Sequence, residues 1–321
     1  MNLPPKPNRI GEENVFNQEE IRIGLCADTH FWPTNMLYCG SHGSLQLQPW
    51  SEKLQTVLLA ELQRAQLDIV VHMGDTTCGG GVYDMTDEEF YAALELTHKQ
   101  YCQLPVTLYA LPGNHDCPPG GGSWSHFEKL WGLQPGMGAT IDLPSARMVL
   151  LNAQGHTSQQ IERAKPTDPV YGWVNQAELN RFEEALATAG DRPVLVFTHQ
   201  LLRRWSGTQH WQDFYGIRNA PAILDIMARY ANVRAVFQAH AHRLDVQVAK
   251  VGPHPCHFIV TPALIEYPLG WLMLELSQHS LKVSLQRLPL PDLASLGGYS
   301  GEGQLWRTGQ HDWMNMKIDL S

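Results

Sequence analysis

Short apolar runs alternate with stretches of helical periodicity along most of the chain. Residues 21–27 (IRIGLCA) read as a strand. Across 51–66, Leu54, Val57, Leu58, Leu62 and Ala65 recur at the spacing of one helix face. Residues 68–73 (DIVVHM) give a second strand. Thr86 followed by Glu89 has the form of a capping box and opens a helix to about residue 101. Residues 106–110 give a third strand. This β-α-β-α-β order predicts a largely parallel sheet covered by helices.

Residues 140–143 and 148–153 predict a hairpin pair. Helices follow at 175–189, with Leu179, Phe182 and Leu186 on one face, and at 221–230. Strands are expected at 194–198, 233–238, 244–251, 257–261, 271–276 and 280–287. The expected fold class is α/β: two stacked mixed β-sheets flanked by helices, a four-layer α/β/β/α sandwich. Residues 1–20 read as a lead segment. Residues 21–288 read as one domain, with loop or cap insertions near 32–50 and 117–138, and 289–321 as a C-terminal tail. Trp306 and Trp313 argue against simple disorder there, and a strap over the body is the alternative.

Composition narrows the class. The 321 residues are 43% hydrophobic and 17% charged, which fits a globular enzyme. The formal net charge is -9 and no long Lys/Arg run is present, which argues against a nucleic-acid partner. Six cysteines without a CxxC read as reduced thiols. The opening residues lack a basic then apolar signal, and no stretch reaches the ~20 apolar residues of a membrane span. A cytoplasmic protein is expected; whether it forms a homo-oligomer stays open.

The chemistry sits where the predicted strands end. The first runs into Asp28-Thr29-His30, the second into Gly74-Asp75, the third into Gly113-Asn114-His115-Asp116. The strand at 194–198 runs into His199, and that at 233–238 into His240-Ala241-His242. Ligands of open α/β sheets bind at such C-terminal ends. A mixed Asp, His and Asn set suits Mn, Fe or Zn better than Mg, which prefers oxygen alone. Glycines at 74 and 113 allow the chain to turn sharply before each ligand candidate. His72, inside its strand rather than at its end, reads as a core residue.

Together these motifs resemble, in order and spacing, the calcineurin-like metallophosphoesterase superfamily, nearest its cyclic-nucleotide phosphodiesterase-like branch. The resemblance runs from residue 21 to about 285. It implies two divalent or trivalent metal ions, one held by Asp28, His30 and His242, the other by Asn114, His199 and His240, with Asp75 bridging. It further implies that His115 assists the leaving oxygen and that Asp116 orients His115. The implied reaction is hydrolysis of a small phosphodiester, such as a nucleotide, by metal-bound hydroxide. A phosphomonoesterase, a nucleotide pyrophosphohydrolase or a scaffold without catalysis are the alternatives. The chain departs from the family pattern at Ala239 (commonly Gly), Cys78 (commonly Asp or Tyr) and Gln200 (commonly Pro). The missing tyrosine argues against the purple acid phosphatases. His156, Trp32 and Trp124 are the candidate substrate contacts, Tyr83 and Trp205 lie in loops of the same face, and residues 266–271 look constrained without an assignable role.

Overall fold

Strands buried on both faces dominate the centre, which is why their sequences read as continuous apolar runs rather than alternations. The structure, a computed structural model, describes residues 20–321. Its strands are β1 (Ile21–Cys26), β2 (Tyr38–Cys39), β3 (Leu45–Gln46), β4 (Ile69–His72), β5 (Thr107–Ala110), β6 (Ala139–Asp142) and β7 (Arg147–Leu150). They continue as β8 (Val194–Thr198), β9 (Val233–Gln238), β10 (Asp245–Val251), β11 (His254–Val260), β12 (Gly270–Leu276), β13 (Ser280–Arg287) and β14 (Asn315–Asp319). The helices are α1 (Ser51–Arg64), α2 (Asp87–Tyr101), α3 (Ser125–Trp131), α4 (Ser158–Ala164), α5 (Gln176–Ala187), α6 (Ala220–Arg229) and α7 (Pro291–Gly298).

Two six-stranded sheets form, ordered β14-β13-β12-β1-β4-β5 and β10-β11-β9-β8-β7-β6. In the first, β1, β4 and β5 run parallel; in the second, β7, β8, β9 and β11 do. Side chains alternate between layers. Ile69 and Val71 of β4 enter the core between the sheets, while Val70 faces the core beneath α1 and α2. Between the sheets Phe197 and Phe237 stack with centroids 5.1 Å apart. Leu54, Leu58 and Leu62 seat α1 on its sheet at four-residue spacing. The other sheet is covered by α5 and α6 through Phe182, Leu186, Ile223 and Met227. The four-layer arrangement is therefore the one expected.

The predicted capping box is present: Thr86 accepts from the Glu89 N–H, and Glu89 accepts from the Thr86 N–H at 2.8 Å. Residues 140–143 and 148–153 supply the antiparallel pair β6–β7. The 117–138 insertion contributes α3, whose Phe127 and Trp131 are buried in the helix-side core. The expected lead segment lies, except for Glu20, outside the described residues. Residues 289–321 are built into the domain: α7 packs Leu293 into the helix-side core, and β14 is the edge strand beside β13. Among the described residues no helix is long and apolar enough to cross a membrane.

Candidate metal centre

Parallel strands end together, so β1, β4, β5, β8 and β9 deliver their following residues to one edge of the sandwich. There the ligand candidates meet. Asp28, His30 and His242 place one ligand atom each within 4.8 Å of one another, and so do Asp75, His199 and His240. Asp75 Oδ2 is the hub, 3.6 Å from His30 Nε2, 3.1 Å from His199 Nε2 and 3.9 Å from His240 Nδ1. His242 Nε2 lies 3.3 Å from Asp28 Oδ1 and 3.3 Å from His30 Nε2. Asn114 is buried, its Oδ1 3.5 Å from Nε2 of Gln200, the residue after His199.

The backbone is strained to achieve this. Asp28, His30, Asp75, His240 and His242 all have positive φ, between 41° and 64°. Such conformations cost of order 1–3 kcal/mol each for residues with a side chain, and they persist where the surroundings over-determine them. Gly74, with φ at 102°, leaves no room for more: a Cβ there would lie 2.8 Å from His199 Nδ1. A Cβ on Gly113 would run into the Asp75 carboxylate. Ala239 is tolerated where glycine is common because its own φ is not positive and its methyl packs in the inter-sheet core.

The donor chemistry fits cations. Asp28 Oδ1, Asp75 Oδ2 and His199 Nε2 are buried without an aligned hydrogen bond, although His199 and Asp75 face each other closely. Buried charge left so is expensive unless something pairs with it. Outer hydrogen bonds aim the rings inward: His199 Nδ1 donates to the Met73 carbonyl at 2.8 Å, and His240 Nε2 bonds the Phe214 carbonyl at 3.2 Å. Burial opposes ionisation of Asp75, but His199 and His115 overcome it and hold the carboxyl well below the usual range. His30 is lowered too, to about 3, mainly by burial, which keeps its ring neutral.

His115 lies at the rim of the same cluster, one ring nitrogen within 4.8 Å of ligand atoms of His30 and Asp75. Its Nδ1 is 2.7 Å from the Gly79 carbonyl, which can only accept, so Nδ1 carries the hydrogen and Nε2 is free to exchange a proton. The expectation that Asp116 orients this ring is corrected. Asp116 Oδ1 accepts from the Thr76 N–H at 2.9 Å and Oδ2 from the Gly113 N–H at 2.8 Å. It therefore ties the loop after β4 to the loop after β5, and Gly79 orients the ring. Burial, then the Asp75 charge, push the Asp116 carboxyl up to about 7. Cys78 donates its thiol to the His30 carbonyl at 3.3 Å, and Gln200 Nε2 donates to the Val170 carbonyl at 3.0 Å.

Above the cluster opens a cavity of about 260 Å³, walled by Val82, Tyr83, Val170, Phe214 and Tyr215, with Gly40, Ser41 and Gln46 from the 32–50 insertion. Tyr83 reaches it as one of the loop aromatics; Trp205 instead packs under Arg243, 4.1 Å from its ring. Trp32, Trp124 and His156 do not line the cavity. Trp32 is buried in the helix-side core. Trp124 stacks on His156 with centroids 5.5 Å apart and donates Nε1–H to the Gly113 carbonyl at 2.8 Å. The Gly113 carbonyl keeps a second donor, the Asp116 N–H at 3.3 Å, so Trp124→Phe is expected to cost about 0.5–1.5 kcal/mol of stability, the loss of one hydrogen bond, with KM unchanged. Denaturant unfolding beside steady-state kinetics checks this; a raised KM at unchanged stability would return Trp124 to the substrate.

Two contributors carried no recognisable motif. Glu266 and Arg307, each 1% exposed, sit beside His242. Glu266 Oε1 is 3.1 Å from His242 Nδ1, and Arg307 lies 3.2 Å from Glu266 Oε2. Burial opposes ionisation of Glu266, but Arg307 and His242 hold it at about 2. The constrained look of 266–271 was the available signal; for Arg307 the sequence offered none.

The family described as calcineurin-like phosphoesterase matches residues 21–244. The 3',5'-cyclic adenosine monophosphate phosphodiesterase CpdA of Haemophilus influenzae is 26% identical over 191 residues, covering 58% of this chain and 59% of that protein. A 3',5'-cyclic-nucleotide phosphodiesterase of Nostoc is 24% identical over 203 residues, covering 62% of this chain and 64% of that one. The chain thus spans less than two-thirds of the length of these curated relatives. In fold it is similar to a dimetal phosphatase from Danio rerio, with a TM-score of 0.65 and 14% identity over 94% of this chain and 99% of that one. The chain belongs to the calcineurin-like phosphoesterase family.

Proposed function

We propose that this chain hydrolyses a small phosphodiester, a nucleotide in the first instance, using two transition-metal ions (Mn, Fe or Zn). Asp28, His30 and His242 would hold one ion, Asn114, His199 and His240 the other, and Asp75 both. The observation that carries this reading is the convergence of buried, unsatisfied Asp and His atoms on Asp75 Oδ2 at the floor of a cavity. Bound ions would neutralise phosphate oxygens and lower the pKa of water towards ~7. His115 would hold the proton at Nε2 that the leaving oxygen needs, its Nδ1 fixed on Gly79. Tyr83 and Phe214 would flank the organic part of the substrate and keep water from it.

The walls favour one phosphate over two. Arg307 is the sole arginine or lysine among the described lining residues, and it is fully engaged. Its Nη1 donates to the His242 carbonyl, Nη2 to the Ser41 carbonyl and Nε to Gln304 Oε1, each at 2.8 Å. A pyrophosphate would bring a second charged group with no cation to meet it. The relatives named as cyclic-nucleotide phosphodiesterases support the diester reading. Metal-restored turnover of bis(p-nitrophenyl) phosphate above that of p-nitrophenyl phosphate, followed by a cyclic-nucleotide panel, is the test. Turnover of the monoester alone would replace it with a phosphatase.

Metal uptake should release protons. Burial lowers both His199 and His242, but Asp75 raises His199 to about 9, and Glu266 with Asp28 raises His242 to about 10. Both values lie above the ordinary 6.5, so both rings are protonated at pH 7 without metal. Ligation requires them neutral. Proton release at pH 7, and Mn²⁺ affinity that rises from pH 6.5 to 8.5, are therefore expected by calorimetry in buffers of different ionisation enthalpy. Affinity independent of pH would contradict this ligand set.

A further inference from the structure

His242 sits in left-handed backbone at a loop, so its local conformational preference does not aim its ring. A closed circuit of contacts does. His242 Nδ1 lies 3.1 Å from Glu266 Oε1. Glu266 Oε2 is 3.2 Å from Arg307 Nη1, close enough for an ion pair though not aligned as a hydrogen bond. The same Nη1 donates to the carbonyl of His242 itself at 2.8 Å. Arg307 thereby holds both the backbone of His242 and the carboxylate that meets its ring. The circuit is anchored outward, since Gln46 Nε2 donates to Glu266 Oε1 at 2.9 Å and Arg307 Nη2 reaches the Ser41 carbonyl.

We propose that Glu266 and Arg307 act as one positioning pair for His242, aiming its Nε2 at the space beside Asp28 and setting metal affinity in that half of the centre. The proposal rests on the two-metal reading above. Its physical basis is general: a histidine ligand is fixed by what its other nitrogen donates to, and loss of that partner weakens metal binding about 10–100-fold. Here the partner comes from the loop after β11, and its own clamp from the segment after α7. The C-terminal region therefore takes part in building the centre. Both residues also line the cavity, but their polar atoms are taken up by His242, Gln46, Ser41, Gln304 and each other, so each acts through His242.

The test is Mn²⁺ binding to the metal-stripped full chain, for the unchanged protein, Glu266→Gln, Arg307→Met and the double variant. Each single change is expected to weaken one of two sites about 10–100-fold and spare the other. The double variant is expected to be no weaker than the poorer single. If Arg307→Met does not fold, Arg307→Lys serves, because an ammonium keeps the charge but lacks the fork that spans the His242 carbonyl and Glu266. The Co²⁺-loaded protein gives a second readout by NMR. One hyperfine-shifted imidazole N–H should exchange faster with solvent in Glu266→Gln. An unchanged N–H and two sites as tight as before would overturn the proposal alone, as would a double variant whose loss is the product of the two single losses. A starting protein that binds no Mn²⁺ would overturn the two-metal reading and this inference with it.

Discussion

Asp75→Asn is expected to abolish turnover, lowering kcat on bis(p-nitrophenyl) phosphate by roughly 10⁴-fold, the scale seen when one member of a catalytic unit is removed. The substitution barely changes shape. The amide oxygen can still accept the His115 N–H that Asp75 Oδ1 accepts at 2.8 Å. What goes is the negative charge that three histidine nitrogens approach at 3.1, 3.6 and 3.9 Å. An amide N–H₂ turned towards them would be a donor where an acceptor is needed. Metal content should fall with activity, because Asp75 belongs to both halves of the proposed centre. A variant that keeps both ions and a tenth of the activity would remove Asp75 from its bridging role.

His115→Ala is expected to lower kcat by about 10²–10⁴-fold while leaving metal content unchanged. The dissociation of the two effects is the point of this variant. His115 lines the cavity and approaches His30 and Asp75, yet its Nδ1 is committed to the Gly79 carbonyl. The loss should be larger for a diester with an alkoxide leaving group than for one releasing p-nitrophenolate, which departs without a proton. Kinetics with both substrates, beside metal analysis, check this. Loss of an ion from His115→Ala would make the residue a ligand instead of a proton carrier.

Most of the centre was legible because its residues follow strands. An apolar run that ends in Asp, His or Asn can be read directly, and parallel pairing of β1, β4 and β5, and of β8 and β9, brings those ends together without further information. The unread part comes from elsewhere. Glu266 follows β11, whose parallel pairing with β9 cannot be inferred from hydrophobicity, since a strand's pattern is the same in either direction. Arg307 lies 65 residues beyond its partner His242, in a segment whose glycines and tryptophans suggested a tail or a strap. Trp32, Trp124 and His156 occupy loops on the expected face, but a loop position does not fix where a side chain points; two of these rings stack on each other and Trp32 turns into the helix-side core. Phe214 and Tyr215 come from a loop with no motif, and are found at the cavity because Tyr215 hydrogen-bonds Ser41 across it.

The strain in the backbone is the feature that sequence could not supply and that bears most on function. Five of the seven ligand candidates are non-glycine residues with positive φ. A fold that needed these positions only for packing would accept glycine there at lower cost. Aspartate and histidine held in such backbone, around a carboxylate oxygen without a hydrogen bond, point to a load that balances the strain.

The most direct measurement of that load is a metal titration of the stripped protein, with bound ion and hydrolysis of bis(p-nitrophenyl) phosphate followed together. Two Mn²⁺ per chain, with activity rising to a plateau as the second site fills, is the predicted result. A chain that binds no ion, or that hydrolyses the diester equally well without one, would contradict the account.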